Sequence, residues 1–195
     1  MIWAPTISEE SVYGTREIAL QTRHFTDGKV FLTGIITEDT ANEFISQMMY
    51  LNKEKKPVTV YINSQGGSVT AGLSIYDALQ AFEGEVNMCC YGLAASMAAI
   101  ILASGKPGHR FITPHGRTMI HEPALVGKLG GSASTIEETA KNMLETKNVL
   151  NTILAEHTGK TVAEIEEATR FDNFMDAEKS IEFGLCDGIH SIYTG

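Results

Sequence analysis

Residues 58–82, VTVYINSQGGSVTAGLSIYDALQAF, contain the pattern that decides the fold. The stretch opens with a short run rich in β-branched residues, which favours a strand. A turn with two adjacent glycines follows. Apolar residues then recur every three or four positions, at Val69, Leu73, Tyr76, Leu79 and Phe82. The spacing therefore predicts a strand, a glycine turn and a helix in direct succession.

The same unit occurs on both sides of this stretch. KVFLTGII, residues 29–36, reads as a buried strand, and apolar residues at helical spacing follow from Ala41. VNMCCY, residues 86–91, reads as another strand and leads into a helix predicted to begin near Ser96. Strands that alternate with helices indicate an α/β fold with a largely parallel sheet.

Capping signals predict a long helix in the C-terminal half. Ser134 and Glu137 have the spacing of a capping box, and Gly159 is placed to terminate a helix that ends near His157.

Shorter elements are predicted after this helix. Thr161 and Glu164 form a second capping box, and Asp176 can cap another helix that is closed by Gly184. DGIHSI, residues 187–192, reads as a last strand.

Composition and charge restrict the classes of function. A chain of 195 residues with 43% hydrophobic and 20% charged residues suits one compact domain. The net charge of −9 and the lack of a basic cluster make nucleic acid an unexpected partner. No signal sequence or membrane span is predicted, because the longest apolar run is only Met97–Ala103. Three cysteines without C-x-x-C spacing fit a reducing compartment, so the cytosol or an organelle interior is expected.

The glycine turn NSQGGS, residues 63–68, has two interpretations. Backbone N–H groups and the positive end of a helix dipole converge there, which suits an anion or an oxyanion. Alternatively, Gly66 and Gly67 only allow a tight connection. The turn is not a nucleotide site, because neither G-x-x-x-x-G-K-[ST] nor G-x-G-x-x-G is present.

Ser96 lies in GLAASMAA, residues 92–99, at another predicted junction of strand and helix. Its small neighbours would let a second backbone approach the hydroxyl. A serine at this place is either a helix cap or a nucleophile that needs a partner base.

His121 is the best placed candidate for that base, because it ends the strand candidate RTMIH just before Pro123. A serine protease base also needs a carboxylate to hold its tautomer. Asp172, Asp176 and Asp187 all lie in loops that could supply one, although Asp176 is already explained as a helix cap. The segment HEPAL is not an H-E-x-x-H zinc motif.

Six segments, in this order, resemble the ClpP family, the proteolytic subunits of Clp proteases. They are FLTG, VYINSQGGSVTAGLSIYDALQAF, GLAASMAA, RTMIHEP, ILAEHTG and DNFMDAEKSIEFGLCDGI. The resemblance implies a ClpP/crotonase-like spiral of ββα units with a protruding handle helix. It implies a single domain, 1–195, with an axial gate at 1–17, a head at 18–122 and 158–195, and a handle at 123–157.

The resemblance also implies a chemistry. Ser96 would be the nucleophile, His121 the general base and Asp172 the residue that orients it, while the backbone N–H groups of Gly67 and Met97 would form the oxyanion hole. The expected activity is that of a serine endopeptidase that hydrolyses unfolded proteins to short peptides. No metal or cofactor is expected, since ATP is used by a partner.

The partners implied by the resemblance are copies of the chain itself and an ATPase. Heptameric rings would stack as a tetradecamer in the cytoplasm, and an AAA+ unfoldase of the ClpX, ClpA or ClpC type would feed in unfolded polypeptide for protein quality control. The unfoldase would dock in a pocket that includes Tyr61, Tyr91 and Phe111.

Some residues depart from the family pattern. Glu122 replaces a glutamine beside the base, Ala168 stands at an acidic position, and Phe171 replaces an arginine that normally joins an ion pair between rings. An alternative function is therefore a structural or regulatory subunit of a mixed ring with an active paralogue. A crotonase-type enzyme, which holds an acyl-CoA enolate by paired backbone N–H groups on the same spiral, is a second alternative.

Overall fold

The computed structural model describes residues 5–12, 14–124 and 130–190. Its elements in chain order are β1 (Thr6–Ser11), β2 (Gly14–Ala19), α1 (Leu20–Thr26), β3 (Lys29–Ile36), α2 (Glu38–Glu54), β4 (Val58–Gly67), α3 (Val69–Gln80), β5 (Val86–Ala95), α4 (Met97–Ala103), β6 (Arg110–Ile112), β7 (Arg117–Ile120), α5 (Ala133–Thr158), α6 (Val162–Thr169), β8 (Asn173–Met175), α7 (Ala177–Phe183) and β9 (Gly188–Ile189).

A central sheet carries most of the strands. Its main path, β3-β4-β5-β6-β9, is parallel throughout. The last part of β5 pairs with β7, also in parallel, and β8 runs antiparallel to β7. The predicted α/β fold with a largely parallel sheet is confirmed.

The core lies between the sheet and its helices. In β4 the side chains of Val58, Val60 and Ile62 are fully buried in it. The residues of α4 are apolar and buried all round, so this helix lies inside the protein. Because Ser96 is the single residue between β5 and α4, the burial of α4 fixes its position.

Two strands extend further than the sequence predicts. β4 continues from Ile62 through the glycine turn to Gly67, and β5 continues to Ala95. The strand pairing shifts register on both sides of β4. The ladder of β3 with β4 shifts after Gly34, and the ladder of β4 with β5 shifts after Ile62. Such bulges let a strand continue through glycines that interrupt its apolar pattern. β8 and the hairpin of β1 with β2 were not predicted.

The helix caps agree with the sequence except at the start of α5. Thr161 with Glu164, and Asp176 at α7, cap as predicted. The predicted box of Ser134 and Glu137 is wrong, because the cap of α5 is Ser132, whose hydroxyl accepts a hydrogen bond from the Thr135 N–H. The chain turns at Gly131, with φ of 140°, so helix formation begins two residues early and Ser134 lies inside the first turn.

Both chain ends extend past the described residues. The last strand, predicted over 187–192, is described only as Gly188–Ile189, and 191–192 lie outside the described residues. Of the predicted gate segment 1–17, residues 1–4 and 13 also lie outside them. The rest of that segment belongs to the antiparallel hairpin of β1 and β2.

Candidate active site

Ser96 occupies a sharp turn between β5 and α4. Its backbone angles, φ of 56° and ψ of −126°, lie in a region that residues other than glycine rarely adopt. The backbone N–H donates to the carbonyl of Met119, at 2.8 Å, which holds the turn against β7. The hydroxyl makes no capping hydrogen bond to α4. The interpretation of Ser96 as an ordinary helix cap is therefore wrong.

The sheet register brings His121 to this hydroxyl. Ala95 is paired with Met119, so the residues that follow β5 and β7 leave the sheet side by side. His121 Nε2 lies 2.9 Å from Ser96 Oγ, within hydrogen-bond distance. The predicted base and the predicted nucleophile are thus in contact.

The short strand β8 brings Asp172 to the other side of the imidazole. β8 is antiparallel to β7, with Asn173 opposite Ile120, so the residue before β8 meets the residue after β7. Asp172 Oδ1 lies 3.1 Å from His121 Nδ1. The aspartate side chain is 63% exposed and the histidine side chain 27% exposed, so solvent screens this contact.

The other two candidate aspartates have different partners. Asp176 caps α7 through a hydrogen bond from the Lys179 N–H. Asp187 is held by the guanidinium of Arg110 at 2.6 Å. Burial by itself raises the pKa of Asp187, but hydrogen bonds from the side chain and backbone of Arg110 outweigh it and keep the pKa below its ordinary value. Of the three, only Asp172 is hydrogen-bonded to His121 among the described residues.

The glycine turn packs directly on the turn at Ser96. Gly66 has φ of 85°, and a Cβ added to it would lie 2.6 Å from the carbonyl oxygen of Ala95 and 2.8 Å from Ser96 Cβ. Met97 is the first residue of α4, where backbone N–H groups have no partner within the helix. The segments that contain Gly67 and Met97 are therefore adjacent. Their use as oxyanion donors stays a prediction.

The cysteines do not offer a rival nucleophile. All three are free and buried. Burial raises the pKa of Cys89 to about 11, and it raises the pKa of Cys90 and Cys186 as well. Since the thiolate is the reactive form, these side chains are unreactive at neutral pH.

Aromatic side chains cluster on a different part of the sheet, at the predicted docking pocket. Tyr61 stacks on Phe31, with ring centroids 5.2 Å apart, and meets the edge of Tyr91 at 6.2 Å. Phe111 stacks on His190 at 3.9 Å. Tyr61 alternates with Val60 and Ile62, so it faces away from the helices that cover those residues.

Phe31, the stacking partner of Tyr61, was not predicted from the sequence as part of the docking pocket. The signal was the alternation in β3, where Phe31 lies between the core residues Val30 and Leu32. A cavity of about 550 Å³ adjoins it, bounded by α1, β3 and α2. The cavity contains none of the three side chains grouped at Ser96.

The fold and the site together define a class of protein. A serine, a histidine and an aspartate hydrogen-bonded in series are the arrangement of serine hydrolases. A family model described as Clp protease matches residues 12–192. The chain belongs to the Clp protease family and is a peptidase of the ClpP type, with the α/β fold of that family. This match favours a peptidase over the crotonase-type alternative.

Two features are absent from residues 5–12, 14–124 and 130–190. Within them, no helix combines the length and the apolar character needed to cross a membrane. In the same part of the chain, no three His, Cys, Asp or Glu side chains are grouped so that they could hold a metal ion.

Proposed function

We propose that this chain is the serine endopeptidase subunit of a chambered, ATPase-dependent protease that cuts unfolded proteins into short peptides. The observation that carries the proposal is the continuous contact from Asp172 through His121 to Ser96, over 3.1 Å and 2.9 Å. The strained turn at Ser96 supports it, because strain of this kind is concentrated at functional sites.

In the proposed reaction, Ser96 Oγ attacks a peptide carbonyl while His121 Nε2 accepts its proton. His121 then gives this proton to the leaving amine, and water hydrolyses the acyl-enzyme with the same base. Asp172 holds the Nδ1–H tautomer and stabilises the imidazolium. The N–H groups of Gly67 and Met97 donate to the oxyanion of the tetrahedral intermediate. The reaction needs no metal or cofactor from this chain, and ATP is used by the partner unfoldase.

The proposed assembly is a stack of two heptameric rings, in the cytoplasm, joined through α5. In support, α5 has exposed apolar side chains at Ile136, Leu144 and Val149, which a single chain leaves uncovered. Copies of the chain that pack α5 against each other would bury this surface. The gate at 1–17, the head and the handle at 123–157 are part of the same proposal.

The proposed docking site for an AAA+ unfoldase of the ClpX, ClpA or ClpC type consists of Tyr61 and Tyr91, which contact each other and Phe31 through Tyr61, together with Phe111, which stacks on His190. Aromatic side chains on a sheet face, next to a cavity, suit an apolar loop of a partner. Access to the enclosed Ser96 sites would then depend on that partner, which explains how folded proteins escape cleavage.

The second candidate function is an accessory subunit of a ring shared with an active paralogue. Phe171, next to Asp172, is 76% exposed, and the guanidinium of Arg170 lies over its ring at 5.6 Å. At the place where the family resemblance implies an inter-ring ion pair, this chain therefore presents an apolar surface.

The test is to purify the chain alone, measure its mass by native mass spectrometry, and treat it with a fluorophosphonate probe. A tetradecamer labelled at Ser96, with no labelling of the Ser96→Ala variant, is expected. An unlabelled heptamer that gains activity only when mixed with a paralogue favours the accessory function. Absence of labelling in every assembly contradicts the peptidase proposal.

A further inference from the structure

Glu122, the residue directly after His121, is anchored at both its backbone and its side chain. Its N–H donates to the carbonyl oxygen of Thr169 at 2.7 Å, which links the loop after β7 to the end of α6. Its carboxylate accepts a hydrogen bond from Lys147 Nζ at 2.7 Å, which links the same loop to α5. The backbone next to the imidazole is thus fastened from two directions.

The next turn of α5 contacts Thr169, the residue whose carbonyl oxygen accepts the hydrogen bond from the Glu122 N–H. Asn151 lies four residues after Lys147, on the same face of the helix, and its side chain is buried. The Thr169 hydroxyl contacts Asn151 Oδ1 at 3.5 Å. Through Lys147 and Asn151, α5 therefore touches the segments that lead to both His121 and Asp172.

His121 itself has weak anchors. Its Nδ1 partner, Asp172, is mostly exposed. Its Nε2 partner is the Ser96 hydroxyl, and this hydrogen bond is lost when Ser96 Oγ attacks the substrate. A displacement of about 1 Å from the reactive geometry can lower a rate by about 100-fold. A further constraint would keep the imidazole in the reactive geometry. Glu122 can supply it, because one peptide bond joins it to His121.

We infer that the ion pair of Glu122 and Lys147 positions His121 by fixing its loop to α5. The inference rests on the proposed function, because it concerns the base of that reaction. The Lys147 side chain is 25% exposed and that of Glu122 is 43% exposed, so we expect the pair to contribute little to stability and its variants to fold. Its effect is on the placement of the imidazole, and therefore on the rate of the chemical step.

The variants for the test are Glu122→Ala, Lys147→Met, the double variant, and the charge exchange of Glu122→Lys with Lys147→Glu. The control is Lys141→Met, which removes an exposed lysine of the same helix that makes no ion pair among the described residues. For each protein of unchanged assembly, the rate of fluorophosphonate labelling and the kcat and KM for a short fluorogenic peptide are measured.

Each single variant should be labelled about 10-fold more slowly, with kcat lowered and KM within about two-fold, because placement affects the chemical step. The double variant should be no slower than the singles, and the charge exchange should regain most of the rate. Labelling rates within two-fold of the parent protein, losses that multiply in the double variant, or a charge exchange as slow as the singles would overturn the inference.

A crystal structure of the Lys147→Met variant provides a readout that does not depend on activity. We expect His121 Nε2 to move out of hydrogen-bond distance from Ser96 Oγ, which is 2.9 Å in the parent protein. An unchanged distance overturns the positioning inference even if Ser96 is labelled. A parent protein that takes up no probe overturns the proposed function instead, and the crystal structure still decides on the positioning.

Discussion

Removal of the Asp172 carboxylate should slow the reaction about 100-fold without abolishing it. At the observed 3.1 Å, the attraction between a carboxylate and an imidazolium is about 1.3 kcal/mol at the dielectric constant of water and about 5 kcal/mol at an effective value near 20. Because the aspartate side chain is 63% exposed, we expect an attraction energy between these limits, at roughly 2.7 kcal/mol. Each 1.36 kcal/mol of barrier corresponds to about ten-fold in rate.

Two further variants separate charge from tautomer and from folding. Asp172→Asn should lose more activity than Asp172→Ala, since an amide that donates to Nδ1 holds the imidazole in the wrong tautomer. Asp176→Ala removes the cap of α7, at a cost of about 1 kcal/mol of stability, but should leave the reaction unchanged.

The assay is the labelling rate of Ser96 together with kcat/KM on a short fluorogenic peptide, for proteins of equal assembly by native mass spectrometry. If the activity of Asp172→Ala stays within three-fold of that of the parent protein, the carboxylate does not stabilise the imidazolium to this extent. If this variant is as inactive as Ser96→Ala, the carboxylate does more than stabilise the imidazolium.

Three further predictions concern the glycine turn beside Ser96, the ion pair of Arg110 and the titration of His157. Gly66→Ala should abolish labelling of Ser96, whereas Gly108→Ala, with a similar φ of 87° but no atom within 4 Å of its added Cβ, should only lower stability in urea unfolding. Arg110→Met should lower the free energy of unfolding by about 3 kcal/mol, because it strands a partly buried aspartate; a loss below about 1 kcal/mol in urea titration would contradict this. Burial, helped by the charge of Arg110, lowers the pKa of His157, so its contribution to stability is complete above the ordinary value of about 6.5 and declines as the pH falls below it. Melting temperatures between about pH 7.5 and 5.5 should therefore fall more steeply for the parent protein than for His157→Gln.

The parts of the fold that depend on local patterns could be predicted from the sequence. The spacing of apolar residues in 58–82 predicts the strand β4 and the helix α3 that follows it. The spacing of Thr161 and Glu164 predicts the cap of α6. Ser96 and His121 could be selected because each lies where a predicted strand ends, and in the structure each directly follows a strand. These features require only neighbours in the chain.

The choice among three aspartates required long-range information. Asp172 reaches His121 because β8 pairs antiparallel with β7, and β8 is too short to be recognised from its own residues. The contact of Glu122 with Lys147 was missed for the same reason, since it joins residues brought together only by the packing of α5. The helix cap at Ser132 was missed because two serines compete there, and the conformation of Gly131 decides between them.

The guanidinium of Arg110, which holds Asp187, also joins three helix ends, because its Nη1 donates to the carbonyl oxygens of Ala103, His157 and Gly184. These bonds have a consequence for how α5 exchanges its amide hydrogens with solvent. Arg110 Nη1 donates to the carbonyl oxygen of His157 near the C-terminal end of α5, and the buried residues of that helix, Leu150, Asn151 and Leu154, lie in the same half. Deuterium should therefore enter slowly near His157 and progressively faster toward Ser132 in an unassembled subunit. Ring assembly, if it covers α5 as proposed, should flatten this gradient.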